Sequence, residues 1–281
     1  MSKILFKKEI KKILFSKKFS LYLLLIYLPL VISILVSYKA YNDPSILETL
    51  TGFLPTPLKD MNPKVAMMIH LNLSMISIAL VAMLEGSEFI SEERESKTLL
   101  FLVSRPIKRY KILMSKYMAF ILIFLPLLFV STILMSLSVY YIGIGLISYE
   151  IFFAYLIAFL LFGIIYINIV TLIGSFANKS TTASLLSLIS LFGWIILDFL
   201  TIYLPIGLKD VVEEFSLSYH INTIVGYLSD GEAALLATGV NKINPSVDSL
   251  IYTTTVLVLV LTILPLILSN YIFIRSDVKT N

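Results

Sequence analysis

The 281-residue sequence predicts an all-α membrane protein. It has six transmembrane helices, an amphipathic helix ahead of the first, and a charged segment projecting between spans two and three. Three observations lead there. Hydrophobic residues make up 58% of the chain and charged residues 14%, with a mean hydropathy of +0.93; a soluble domain of this length carries far more charge. The apolar residues fall in continuous runs of about 20, the length a helix needs at ~1.5 Å per residue to cross ~30 Å of hydrocarbon. Lysine and arginine are spread unevenly about those runs. Strands are disfavoured because period-2 alternation is missing.

The chain opens with KILFKKEIKKILFSKK, where Phe6, Ile10, Ile13 and Leu14 recur at helical spacing and Lys7, Lys8, Lys11 and Lys12 cover the other face. This is a basic amphipathic helix over residues 1–18, suited to the headgroup layer, where each lysine gains ~1 kcal/mol beside anionic lipid. Span one, 19–38, carries no charge and is too long for a signal core; its end, SILVSYKAY, lacks a small-x-small cleavage site, so it reads as a retained anchor. Asp43 then stands as N-cap with Pro44 at the first helical position, and Ile46, Leu47, Leu50 and Leu54 share one face of a short outer helix. Span two covers 65–84, bounded by Lys64 and Glu85. Spans three to six cover 117–142, 151–177, 181–204 and 249–274. Pro29, Pro126 and Pro265 lie inside spans as kinks that neighbouring helices accommodate. In the segment 205–248, Leu217, Ile221, Ile224, Val225 and Leu228 form a helical stripe stopped near Gly231. That helix is expected on the outer leaflet, over the bundle, or as ordinary loop packing.

Six spans put both termini on one side. Seventeen of the 22 lysines and arginines flank the spans there; Lys39, Lys59, Lys64, Lys209 and Lys242 lie opposite. The excess places both termini in the cytoplasm, in a multi-pass protein of the cell membrane, with 205–248 outside. The net charge of +4 is then a topology signal, and nucleic acid is not an expected partner.

Several chemistries are excluded. Cysteine is absent, which removes disulfides and thiolate metal sites. His70 and His220 are too far apart in sequence to suggest a metal centre; His70 with Asn72 reads as a satisfied polar pair. No nucleophile–base pair is evident, so no catalytic residue is assigned. The phosphate-cradling G-x-x-x-x-G-K-[ST] loop is missing, so this chain binds no nucleotide itself. Asp198 is the only acid or base inside a span, and intramembrane carboxylates are costly and often functional. Asp198 and Asn168 are therefore candidates for a translocation pathway. The alternatives are that Asp198 reaches the nearby outer interface or caps a neighbour, and that Asn168 and Thr171 bond between helices. Trp194 reads as packing, and Tyr140, Tyr141 and Tyr149 as an interfacial aromatic belt.

The segment 85–113 is the densest in charge. Gly86–Glu95 can continue span two beyond the membrane. TLLFLV, 98–103, is apolar but far too short to span, and SRP stops it, since a residue before proline avoids helix. The result is a short apolar element rimmed by Glu92, Glu93, Arg94, Arg105 and Arg109. An exposed apolar element in water wants a partner, and a topogenic loop would need only the lysines and arginines, not five glutamates.

EERESKTLLFLVSRPIKRYKILMSK resembles the signature loop of type-2 ABC transporter permeases, and more narrowly the branch of permeases for maturation of multi-copper enzymes. Glu93 and Glu95 match that family's acids, Thr98 and Leu99 its Gly-Thr-Leu-like step, Ser104 and Pro106 its turn, Arg109 its arginine and Lys116 its final lysine. Lys97 stands where glycine is usual, and Ser115 precedes Lys116. The six-span layout and basic amino-terminal helix extend the resemblance over nearly the whole chain. It implies that the loop is a coupling helix. Glu92, Glu93, Arg94, Glu95, Thr98, Leu99, Leu102, Ser104, Arg105, Pro106 and Arg109 would then meet a separate cytoplasmic ATPase that holds the ATP and Mg. It also implies a second copy of the chain as homodimer partner, a lipid environment, and export as the direction. The apolar spans favour a lipid-like or amphipathic cargo; copper ligands are not in evidence, since the methionines show no paired spacing. The competing readings are a self-powered secondary transporter, which would need coupling carboxylates at the midplane, and a non-transporting scaffold that recruits a cytoplasmic protein.

Overall fold

The computed structural model describes residues 3–46, 61–95, 109–204, 207–208, 212, 215–229 and 247–275. In chain order its helices are α1 (Lys3–Leu14), α2 (Lys17–Asn42), α3 (Pro63–Gly86), α4 (Glu88–Glu95), α5 (Arg109–Ile142), α6 (Tyr149–Phe176), α7 (Ser180–Tyr203), α8 (Leu217–Leu228) and α9 (Val247–Thr255). A π-helical stretch, Val256–Ile263, then leads into α10 (Leu264–Arg275). No strand occurs among the described residues. Among the described residues six units are long and apolar enough to cross a membrane: α2, α3 running on into α4, α5, α6, α7, and α9 with α10.

Local chemistry sets the helix starts. Asn62 accepts from the Val65 amide at 3.0 Å with Pro63 at the first turn, the side-chain cap and pre-set φ that open helices. Ser148 accepts from the Ile151 amide and opens α6, with Glu150 in its first turn. The α5–α6 turn runs through Gly143 (φ 89°) and Gly145 (φ 138°), backbone that side chains resist. Asp43 accepts from the Ser45 amide at 3.1 Å and starts a turn at Pro44; Leu47, Leu50 and Leu54 lie outside the described residues.

Helix α6 is the axis of the bundle, packed against α3, α5, α7, α8, α10 and α4. Tyr155, Phe159 and Phe162 on it are fully buried. Lipid tails are as apolar as leucine, so contact between spans relies on close packing. A Cβ at Gly174 of α6 would stand 2.6 Å from the Ser87 carbonyl oxygen, so backbone meets backbone where α6 crosses the α3–α4 junction. In contrast α7 keeps Leu185, Ile189, Phe192 and Ile196 exposed.

Four expectations change. Helix α1 rests on α5; of its expected stripe Ile13 is buried and Phe6 and Ile10 pack against the core, while Leu14 is exposed and Leu5 and Glu9 are buried instead. Helix α5 begins at Arg109 rather than Tyr117, so Arg109–Lys116 extends span three helically. Helix α8 is enclosed in the protein rather than laid on its surface: Leu217, Ser218 and each residue from His220 to Gly226 are buried, and it packs on α6 and α9. His70 does not pair with Asn72, which is exposed. The ring sits between Ser74 (3.2 Å from Nδ1) and Ser131 (3.3 Å from Nε2), because Asn72 lies two residues on and faces away.

Candidate functional site

Span two does not stop at the apolar run. Ser87 keeps right-handed helical dihedrals (φ −61°, ψ −29°), and Pro63–Glu95 forms a unit of 33 residues. At 1.5 Å per residue that is about 50 Å, some 20 Å more than the hydrocarbon layer. Helix α4 is this overhang, and all its charges are assigned.

Phe89 and Ile90 turn inward, Phe89 meeting Tyr117 edge-on at 5.3 Å. Glu85, Glu88 and Glu92 recur at i, i+3 and i+7, which aligns them on one face. That face meets the start of the chain. Tyr22 Oη donates to Glu85 Oε2 at 2.5 Å, Lys18 pairs with Glu88, and Lys12 Nζ reaches Glu92 Oε2 at 2.5 Å. On the next face Lys116 of α5 pairs with Glu93 at 2.8 Å and donates to the Phe89 carbonyl at 2.9 Å.

The last two residues hold the α6–α7 turn. Arg94 Nη1 donates to the carbonyls of Ser175 (2.7 Å) and Ala177 (3.0 Å) at the end of α6. Glu95 Oε2 accepts from the Ser180 amide (2.9 Å) and hydroxyl (2.5 Å) at the start of α7. A helix leaves its final carbonyls and first amides unsatisfied, and its dipole favours a cation at the first end and an anion at the second. Arg94 and Glu95 supply one of each.

The pairs differ in weight. Lys116 and Glu93 side chains are 3% and 13% exposed, a buried pair. Lys12 and Glu92 are 45% and 41% exposed, in the range where a pair contributes about 0–1 kcal/mol. Partial burial works against the Lys12 ammonium, but Glu92 beside it, with Glu9 and Glu85 through space, outweighs that and holds its pKa above the usual lysine value.

Of the expected coupling residues, Glu92, Glu93, Arg94 and Glu95 thus sit on α4 in intramolecular contacts, and Arg109 opens α5. Thr98, Leu99, Leu102, Ser104, Arg105 and Pro106 lie outside the described residues. Lys12, Lys18 and Tyr22 were not legible as partners; only the i, i+3, i+7 spacing of the acids hinted at a facing element.

The two intramembrane candidates are not brought together. Asp198 on α7 accepts from Ser216 and Ser218, both at 2.5 Å, at the start of α8. Ser216 in turn caps the Tyr219 amide. An anion at a helix N-terminus is favoured, so Asp198 anchors α8, and Trp194, its ring tilted against Phe162 at 5.1 Å, donates to Ser218 as well. Asn168 on α6 instead donates to the Thr262 carbonyl in the π-helical stretch at 3.3 Å. Thr171 bonds its own helix, at the Ile167 carbonyl. Among the described residues no group of three or more His, Cys, Asp or Glu is placed to hold a metal ion.

A helical fold with six apolar spans among the described residues defines a multi-pass membrane protein. The family model for ABC-2 family transporter proteins matches residues 3–278, and the chain belongs to that family. It is accordingly a transmembrane permease subunit of an ABC transporter, a transport component and not itself a catalyst. No curated protein matches the chain.

Proposed function

We propose that the chain is the membrane half of an ATP-driven exporter in the cell membrane. Two copies work with a separate cytoplasmic ATPase, which holds the ATP and Mg, and the termini and α4 face the cytoplasm. The observation that carries this reading is the bracing of α4. One short overhanging helix is tied to α1, α2, α5, the end of α6 and the start of α7. Force applied just beyond Glu95 reaches five elements at once, which suits a relay between a cytoplasmic motor and the spans. A purely topogenic segment has no use for such bracing.

In this reading the residues divide in two. Leu99 and Leu102, in the apolar run after α4, touch the ATPase, with Thr98, Ser104, Arg105 and Pro106. Glu92, Glu93, Arg94 and Glu95 transmit its movement, since their charges are engaged within the chain. The unpaired apolar face of α7 supports a second copy as neighbour. Cargo is lipid-like or amphipathic, because the described spans present almost no charge.

The test is co-purification with a candidate ABC ATPase from the same organism, followed by hydrolysis measurements in nanodiscs. Leu99→Ser with Leu102→Ser is expected to lose binding. Glu93→Lys is expected to keep binding and lose stimulated hydrolysis, and Lys116→Glu in the same chain to restore much of it. Unchanged binding in the serine variant would remove the docking role.

A further inference from the structure

A cavity of about 110 Å³ lies where α1, α2, α4 and α5 meet, walled by Glu9, Lys12, Lys18, Glu85, Glu88 and Lys116 among others. Its charges do not balance. Lys12 is engaged by Glu92, Lys18 by Glu88, and Lys116 by Glu93 and the Phe89 carbonyl. Two carboxylates on the wall make no ion pair with any described residue, and Lys12 and Lys18 act on them only through space. Glu85 takes only the neutral Tyr22 hydroxyl on one oxygen. Glu9 is 6% exposed, and it makes no hydrogen bond or ion pair with any described residue, though Lys12 feels its charge through space. A buried carboxylate without a partner is costly, and nothing in the packing of α1 requires an acid there.

We propose that this cavity binds a primary ammonium, that of an aminophospholipid headgroup, between Glu9 and Glu85. A primary ammonium brings one charge and three donors, which suits two separate carboxylates better than a divalent ion needing a converging set, and no such set occurs among the described residues. Size agrees. The cavity has room for an ammonium and its two carbons, and a trimethylated ammonium has no N–H to donate to Glu9 and Glu85. Lys12 and Lys18 line the same cavity half-exposed, and each ammonium, though paired with Glu92 or Glu88, has three donors and so some left for a headgroup phosphate. A free amine lacks that phosphate and the acyl chains, so the lipid is the favoured source. The inference rests on the chain crossing a bilayer and not on any ATPase.

The experiment uses the full-length protein without an ATPase, in nanodiscs of equal phosphatidylethanolamine and phosphatidylcholine with a constant share of phosphatidylglycerol, read by native mass spectrometry of retained lipid. Wild type is expected to retain the ethanolamine lipid roughly tenfold over choline, the scale of one charge-assisted hydrogen bond. Glu9→Gln and Glu85→Gln should fall to the bulk ratio. Glu9→Asp, which keeps the charge, should preserve a preference, and Glu150→Gln at the other end of the bundle should match wild type. Equal retention of both lipids by wild type, or undiminished preference in Glu9→Gln, would overturn the site. Displacement of the lipid by millimolar ethanolamine would overturn the lipid as its source and assign the cavity to a soluble amine. A Glu9→Gln protein that fails to run as a monodisperse species is replaced by Glu85→Gln, whose result is read the same way.

Discussion

Replacing Glu93 with glutamine isolates the strongest strut of α4. The pair it removes is 2.8 Å long, with side chains 3% and 13% exposed. At that separation and an effective dielectric near 20, the gross attraction is about 6 kcal/mol. Much of it offsets the cost of taking both charges out of water. What the substitution leaves is a buried Lys116 ammonium with only neutral acceptors, the Phe89 carbonyl and the side-chain amide oxygen at position 93, and breaking one side of a buried pair costs about 3–5 kcal/mol. Glu92→Gln makes the same chemical change at the adjacent residue, yet acts on a half-exposed pair and is expected to cost about 0–1 kcal/mol. The assay is equilibrium unfolding of the purified chain in mixed micelles titrated with sodium dodecyl sulfate, followed by the fluorescence of Trp194. The double variant Glu93→Leu with Lys116→Met should recover most of the loss, since it leaves no orphaned charge. If Glu93→Gln and Glu92→Gln destabilise equally and slightly, burial does not set the weight of these pairs and the bracing argument fails.

Other outcomes follow from the same geometry. Gly174→Ala puts a methyl 2.6 Å from the Ser87 carbonyl oxygen; both sides are helical backbone, so a loss of about 1–3 kcal/mol is expected, read by the same titration, and a neutral result would mean that the crossing is looser. Asp198→Asn removes the charged acceptor of Ser216 and Ser218, worth about 1.5–3 kcal/mol for hydrogen bonds to a charge; hydrogen exchange should quicken in Leu217–Leu228 and stay unchanged in α3, and uniform exchange would contradict the anchoring role. Asn168→Ala deletes one bond between helices, for which about 0.6 kcal/mol is typical in a membrane; a loss several times larger would show that the Thr262 carbonyl depends on Asn168.

How far could the sequence be read? The family resemblance was carried by residues whose order is local, Glu93 to Lys116, and the family match now spans 3–278. The stripe Leu217, Ile221, Ile224, Val225 and Leu228 located α8, but periodicity names the apolar face of a helix and not what surrounds it. With Ser218, His220, Asn222 and Thr223 also buried, α8 is enclosed on its polar side too, a fact with no local signature. Asp198 was visible as an outlier, and its two serines were invisible because they lie 18 and 20 residues away. The charge of 85–113 was legible in amount; its destination was not.

The sequence by itself determined that this chain is helical and crosses a membrane six times, because bilayer thickness imposes a length that each apolar run either meets or misses on its own. It left open that Gly86–Glu95 continues span two, which the helix Glu88–Glu95 then does. Only the tertiary structure decided which charges meet. Lys12 and Glu92 are 80 residues apart, Arg94 and Ser175 81, and Glu95 and Ser180 85, and an ion pair depends on distance in space, which packing around α6 sets and no local pattern encodes.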